Sequence, residues 1–374
     1  MNLMPSFLNG PASRNAARGA SLLAIGIWFA SLHVVDAATI TAKSASRADV
    51  GAAVSSANDG DTVTIPAGSA TWTSTLTITK NISLIGAGEG QTTITSNTDS
   101  TSPLISVDLD HEASAPNYSF RMSGFTLKSS NATPKPEDNA YIKLYGHSAP
   151  ADSPYVHGCV SRVRLDHMTW DKLNGLALKV DSVLGVADHI TANNGIRTSS
   201  MLKVNMINWT PTYNPATGTP LPTTYKAADA FGSWADDSYF GTDKFWFYED
   251  CNFTVSSTFV SDDEEGARVV YRHCTVNNGT GFASHGMEGR KQPGVRAREI
   301  YNNYFITTSS LAQNRSGSIL YFNNRSSGIW NGAKLKDYRF QANYAMWGAA
   351  SGDNRYDQNS ADTPPLVTGT ITAV

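Results

Sequence analysis

The chain of 374 residues carries 29 Lys and Arg against 32 Asp and Glu, a net charge of −3; 16% of its residues are charged and 40% hydrophobic. A disordered chain shows the reverse balance, and an electrostatic nucleic-acid binder concentrates a basic excess that is missing here. The supply of Asn, Ser and Thr, with 30 Gly, favours strands and turns over long helices.

Residues 1–37 read as a secretory signal. Arg14 and Arg18 form a basic start, an apolar stretch runs from Leu22 to Val35, and Val35-Asp36-Ala37 supplies small residues at a cleavage point. The apolar stretch is too short to span a bilayer, so the expectation is an exported protein, extracellular or periplasmic, without stable membrane insertion. Three cysteines, Cys159, Cys251 and Cys274, are too few to staple a fold through disulfides. Neither C-x-x-C nor H-E-x-x-H occurs. Stability must therefore come from packing and backbone pairing.

In the first mature segment, Asp59-Gly60-Asp61 and Pro66-Ala67-Gly68 read as turns around a strand Thr62-Val63-Thr64-Ile65, and Leu76-Thr77-Ile78 and Ile82-Ser83-Leu84-Ile85 as further strands. A repeat follows. Leu165-Asp166-His167-Met168-Thr169-Trp170 is matched by Ala187-Asp188-His189-Ile190-Thr191-Ala192. Later copies are Glu249-Asp250-Cys251-Asn252-Phe253, Arg272-His273-Cys274-Thr275-Val276, Tyr301-Asn302-Asn303-Tyr304-Phe305 and Phe322-Asn323-Asn324, with an earlier one at Ser123-Gly124-Phe125-Thr126-Leu127. Anchored on Met168, Ile190, Cys251, Cys274, Asn303 and Asn324, the steps are 22, 61, 23, 29 and 21 residues. The step of 61 leaves room for additional coils and a long loop between Asn193 and Lys244. A period near 22 residues without a leucine ladder points to a parallel β-helix of three short strands per coil, stacked about 4.8 Å apart. Asn303 and Asn324 then point inward and bond backbone groups at a tight bend. Cys251 and Cys274 sit at equivalent positions, in a stack of small side chains or as a disulfide.

The segment DGDTVTIPAGSATWTSTLTITKNISLIGAGEGQTTI (60–95), with MSGFTL (122–127) and VRLDHMTW (163–170), resembles right-handed parallel β-helix proteins of the pectin-lyase-like superfamily. ARVVYRHCTV (267–276), SHGMEGR (284–290) and REIYNNYF (298–305) are similar to a secreted subgroup of it. The resemblance covers roughly residues 40–345 and implies an all-β solenoid over 38–345, with 346–374 as an exit segment that is either truncated or paired onto the last coil.

That resemblance also implies a substrate face along consecutive coils. Aligning Phe259-Val260-Ser261-Asp262-Asp263, Phe282-Ala283-Ser284-His285-Gly286 and Leu311-Ala312-Gln313-Asn314-Arg315 by their apolar entry puts Asp262, His285 and Asn314 in one column. Asp263, Gly286 and Arg315 form the next. A carboxylate one coil from an imidazole can move protons near neutral pH. In superfamily lyases an Arg or Lys acts as base and Ca²⁺ is held by acidic side chains. Here Arg290 and Arg315 are the candidates for base, among Lys291, Arg296 and Arg298. Asp262, Asp263, Glu264 and Glu265 are the candidate Ca²⁺ ligands. Glu288, Lys291, Arg296 and Asn314 are candidates for binding substrate. The expectation is a monomer that cleaves an acidic polysaccharide by β-elimination. The alternatives are an inverting hydrolase using Asp262, Asp263 and His285 on the same ridge, resembling the Asp-Asp and Gly-His-Gly elements of polygalacturonases, or a carbohydrate-binding solenoid without catalysis. The corner column His167, His189, Asp250, His273 and Asn302 is expected to serve hydrogen bonding at turns.

Overall fold

Short alternating segments set the architecture. In Thr62–Ile65 the buried residues are Val63 and Ile65, and the strand pairs in parallel with Ser83–Gly86 one coil on. The computed structural model describes residues 37–109, 119–136, 139–146, 159–194, 200–206, 239–255, 259–284, 295–306, 310–314, 318–328 and 333–334. Residues 1–36 of the expected signal segment 1–37 and all of the expected exit segment 346–374 lie outside them.

Each later coil supplies three strands: Trp246–Glu249, Asn252–Thr254 and Phe259–Asp263 in one, then Arg268–Arg272, Thr275–Asn277 and Thr280–Ser284, then Ala297–Tyr301, Tyr304–Ile306 and Ser310–Gln313. Every strand pairs in parallel with its counterpart in the next coil. Among the described residues the first and second strands of the coils merge into one 17-stranded sheet, and the third strands form a nine-stranded sheet. The two join because Val160–Leu173 and Val183–Asn194 run through the corner between first and second strands without a break. With the right-handed crossovers of parallel connections, this is the right-handed parallel β-helix that the sequence predicts. No helix among the described residues is long and apolar enough to cross a membrane.

The core is a set of columns running through the solenoid. Tyr248, Tyr271, Ile300 and Tyr321 are in register. The rings of Tyr248 and Tyr271 stack at 5.1 Å, and Tyr271 stacks on Phe282 from the opposite wall at 3.9 Å. A ten-residue helix, Arg47–Ser56, buries Val50, Ala53 and Val54 in this core. Ser46 caps it by accepting from Asp49 N at 3.1 Å, and Lys80 donates to the carbonyls of Val54, Ser55 and Ala57 at its other end.

At the corner Gly124, His167, His189, Asp250, His273, Asn302 and Asn323 all have positive φ, from 49° to 78°. The residue after each turns inward. Asn303 accepts from Cys274 N and donates to Tyr271 O, each at 2.9 Å; Asn324 repeats this one coil on, accepting from Asn303 N at 3.0 Å and donating to Ile300 O at 2.8 Å. Cys251 and Cys274 are buried free thiols in that column, donating to the carbonyls of Ala187 and Tyr248 at 3.4 and 3.5 Å, so the small-residue stack is realised and the disulfide is not.

The step of 61 residues holds no additional coil. Val183–Asn194 pairs directly with Trp246–Glu249, and Ser200–Asn205 with Phe259–Asp263. Residues 207–238, where the long loop is expected, lie outside the described residues.

Candidate functional site

The nine-stranded sheet carries the polar cluster. In Ile142–Gly146 and Leu178–Asp181 burial alternates, so Lys143 and Lys179 stand on the outer face between buried aliphatic neighbours. Register places Lys143, Lys179 and Lys203 in one column across three consecutive coils, about 4.8 Å from coil to coil. The pairing of Leu202 with Ser261 makes Asp262 the next member, followed by Ala283 and Gln313. A second outer column holds Asp108, Tyr145, Asp181 and Asn205.

The columns meet at the run Asp262-Asp263-Glu264-Glu265-Gly266, which is no solvated loop: Asp262, Asp263 and Glu264 are buried. Successive positive φ at Glu265 (52°) and Gly266 (78°) turn the chain into the next strand. Lys203 Nζ lies 2.7 Å from Glu264 Oε1, and Asn205 Nδ2 donates to Glu265 Oε2 at 2.8 Å. Burial and the neighbouring Glu264 push Glu265 up to about 7, while Lys179 and Lys203 pull it back. Burial, Asp181 and Asp108 raise the Tyr145 hydroxyl.

Asp263 faces the other way, as the two-residue period of a strand requires. Its carboxylate accepts from Tyr271 OH at 2.8 Å and lies 3.7 Å from Arg298 Nε, with both side chains wholly withdrawn from solvent. Burial drives Asp263 up to about 7 against the pull of Arg298 and Tyr271. Asp262 and Asp263 thus lie on opposite faces of one strand and cannot flank a single glycosidic bond as the acid and base of an inverting hydrolase. Arg298, expected on the ridge, is an interior residue that donates to Gln313 O at 3.2 Å.

The column expected from the sequence is corrected. Asp262 is followed by Ala283 and Gln313, not His285 and Asn314. Aligning Phe259 with Phe282 produced the slip: Phe282 pairs with Ser261, because its ring enters the interior to stack on Tyr271. Asn314 is buried, with no hydrogen-bond partner for its Oδ1 among the described residues; Arg296 is buried beside Ala267, its N–H donating to that carbonyl at 2.9 Å. His285, Glu288, Arg290, Lys291 and Arg315 lie outside the described residues.

Sequence reasoning missed Lys143, Lys179, Lys203 and Asn205. A signal was there: the triplets Ile142-Lys143-Leu144, Leu178-Lys179-Val180 and Leu202-Lys203-Val204 repeat one pattern.

As a Ca²⁺ cradle the run fits with one exchange. Asp263 is excluded by its orientation. Asp262 and Glu264 share the outer face, Glu265 adjoins them, and Asn205, fully buried, has an Oδ1 that meets no donor among the described residues. Four oxygen donors of this kind suit a hard cation.

No protein-family model and no curated protein matches the sequence. Among solved structures, a 1,3-α-1,4-β-D-galactose-4-sulfate-3,6-anhydro-D-galactose-2-sulfate 4 galactohydrolase aligns over 72% of this chain and 56% of its own, at 11% identity and a TM-score of 0.38. An iota-carrageenase complexed to iota-carrageenan fragments aligns over 71% and 51%, at 12% identity and 0.37. A mannuronic-acid-specific polysaccharide family 6 lyase from human gut microbiota aligns over 80% and 79%, at 12% identity and 0.37. The chain spans about half the length of the first two. No residue role is transferred from these likenesses.

Proposed function

We propose that the protein is an exported enzyme that binds an acidic polysaccharide along the outer face of the nine-stranded sheet and cleaves it by β-elimination. The observation that carries this reading is the column Lys143–Lys179–Lys203 running into Asp262 and Glu264. The partly exposed Lys143 and Lys179, one coil apart, match a polymer that carries a carboxylate on successive sugars, while Lys203, fully buried and paired with Glu264, ends the column inside the protein.

In the elimination a base removes the proton beside the uronate carboxylate, the bond to the leaving oxygen breaks, and that oxygen takes up a proton. Negative charge grows on the carboxylate as the proton leaves, and cations held in place favour that state over the ground state. Lys143 and Lys179, partly exposed on that face, are the described residues placed to do so. Arg290 and Arg315 remain the proposed bases. A Ca²⁺ held by Asn205, Asp262, Glu264 and Glu265 would supply further positive charge to the same carboxylate.

Incubation of the protein with a panel of uronic-acid polysaccharides, with Ca²⁺ or with chelator, followed by product mass, tests the reading. Fragments lacking one water, with the ultraviolet absorbance of a new carbon–carbon double bond, are expected. Fragments with one water added would make it a hydrolase, and binding without cleavage across the panel would make it a binding solenoid.

A further inference from the structure

The corner between the first and second strands carries ionisable side chains that the backbone does not demand. Gly124 at one end of the column and Asn302 and Asn323 at the other adopt the left-handed conformation there, as these residue types do at small cost. Between them the same position is filled by His167, His189, Asp250 and His273. Stacking of the coils brings each beside the next: the rings of His167 and His189 lie 4.9 Å apart and 4° from parallel. Each ring is oriented by the carboxylate that precedes it, Nδ1 of His167 donating to Asp166 at 2.9 Å and Nδ1 of His189 to Asp188 at 2.6 Å.

Two sets of three potential ligands result. One ligand atom each from Asp188, His189 and Asp250 lies within 4.8 Å of the other two, and the same holds for Glu249, Asp250 and His273. The second set is occupied from within: Glu249 accepts from Arg272 at 2.8 Å, and Nε2 of His273 lies 3.2 Å from the Asn302 amide. In the first set Asp188 accepts from Arg164 and from Nδ1 of His189; an ion shared by Asp188, His189 and Asp250 takes the place of that Nδ1 proton, and the ring is 55% exposed.

We infer that Asp188, His189 and Asp250 form a binding site for one borderline divalent transition-metal ion of the Zn²⁺ type. An imidazole with two carboxylates suits Zn²⁺ and disfavours Ca²⁺, which takes oxygen ligands alone. The site is separate from the sheet face proposed for substrate. Its ligands come from the two coils on either side of the step of 61 residues, since Asp188 and His189 precede it and Asp250 follows it. A bound ion therefore joins the two coils separated by the step of 61 residues, and stabilises the folded form because the unfolded chain does not hold the ligands together.

Calorimetric titration of the full chain with Zn²⁺, and in parallel with Ca²⁺, tests the assignment. His189→Asn and Asp250→Asn place at each corner the residue that Asn302 and Asn323 already provide, so both variants should melt like the parent in the presence of EDTA. The parent is expected to bind Zn²⁺ saturably with a rise in melting temperature, and each variant to lose at least tenfold in affinity together with that rise. Affinity within twofold of the parent in both variants would overturn the site, as would displacement of Zn²⁺ by an equal concentration of Ca²⁺. Loss of binding in His273→Asn with retention in His189→Asn would overturn it in favour of the neighbouring set.

Discussion

Lys203 and Glu264 hold each other at 2.7 Å across adjacent coils, with side-chain exposures of 0% and 3%. Two opposite charges withdrawn from water depend on each other: removing one leaves the other desolvated and unpaired, at a cost of about 3–5 kcal/mol, whereas replacing both by apolar groups is often near neutral. Lys203→Met and Glu264→Met are each expected to be destabilised by that order in urea unfolding, and the double variant by clearly less than the sum. Additive losses would mean that the pair does not act as a unit.

The cation column makes a separate prediction about the polymer. Lys179 lies in the middle of the three and is partly exposed. Lys179→Glu should raise KM for a polyuronate by roughly tenfold, ~1.4 kcal/mol of lost binding, and should flatten the dependence of the rate on salt. Steady-state kinetics at low and high ionic strength measure both. An unchanged KM would remove this face as the place where the polymer lies.

The coil period could be read from the sequence because the corner imposes a rare backbone conformation once per coil. Only a few residue types enter positive φ readily, so Asp250, Asn302 and Asn323 followed by a small or amide residue recur at visible intervals. The third strand has no such marker. Between Thr254 and Phe259, or Asn277 and Thr280, the connections differ in length, so aligning Phe259 with Phe282 slid His285 out of register, and aligning Phe259 with Leu311 instead of Ser310 slid Asn314. The helix Arg47–Ser56 also went unread, although Ser46 with Asp49 three residues on is an N-terminal capping pattern. The inward turn of Asp263 follows from strand alternation once the strand is known to continue through Asp262. Its partner Arg298 was out of reach, since it belongs to a first strand two coils on.

Asp166 should make the corner acid-sensitive. Burial works to raise its pKa, but the Arg121 guanidinium, bonded through two nitrogens at 2.8 and 2.6 Å, together with His167 and the charge of Arg164, holds it at about 2. A carboxyl whose folded pKa lies below its unfolded value stabilises the fold above the unfolded pKa, and that contribution is lost as pH falls through the folded one. Stability should therefore decline between about pH 4 and pH 2, and Asp166→Asn should be less stable at neutral pH with a flatter acid limb. Melting temperature against pH for both proteins checks this; parallel acid limbs would assign the transition to other carboxylates.

Asn303 offers the sharpest separation of structural roles. Its Oδ1 accepts from Cys274 N and its Nδ2 donates to Tyr271 O, each at 2.9 Å, and Nδ2 also lies 3.0 Å from Asn324 Oδ1. Asn303→Ala leaves a buried backbone donor and acceptor unsatisfied, each worth about 1–3 kcal/mol, so a loss on the order of 2–5 kcal/mol in chemical unfolding is expected. Asn303→Asp keeps the acceptor for Cys274 N but replaces the donor facing Tyr271 O with a second acceptor. It should therefore be no more stable than the alanine variant at neutral pH, and should recover on acidification, when a protonated carboxyl can donate again. If both variants unfold with the parent at every pH, the bend is held by the strands on either side of it and the asparagine bonds contribute nothing.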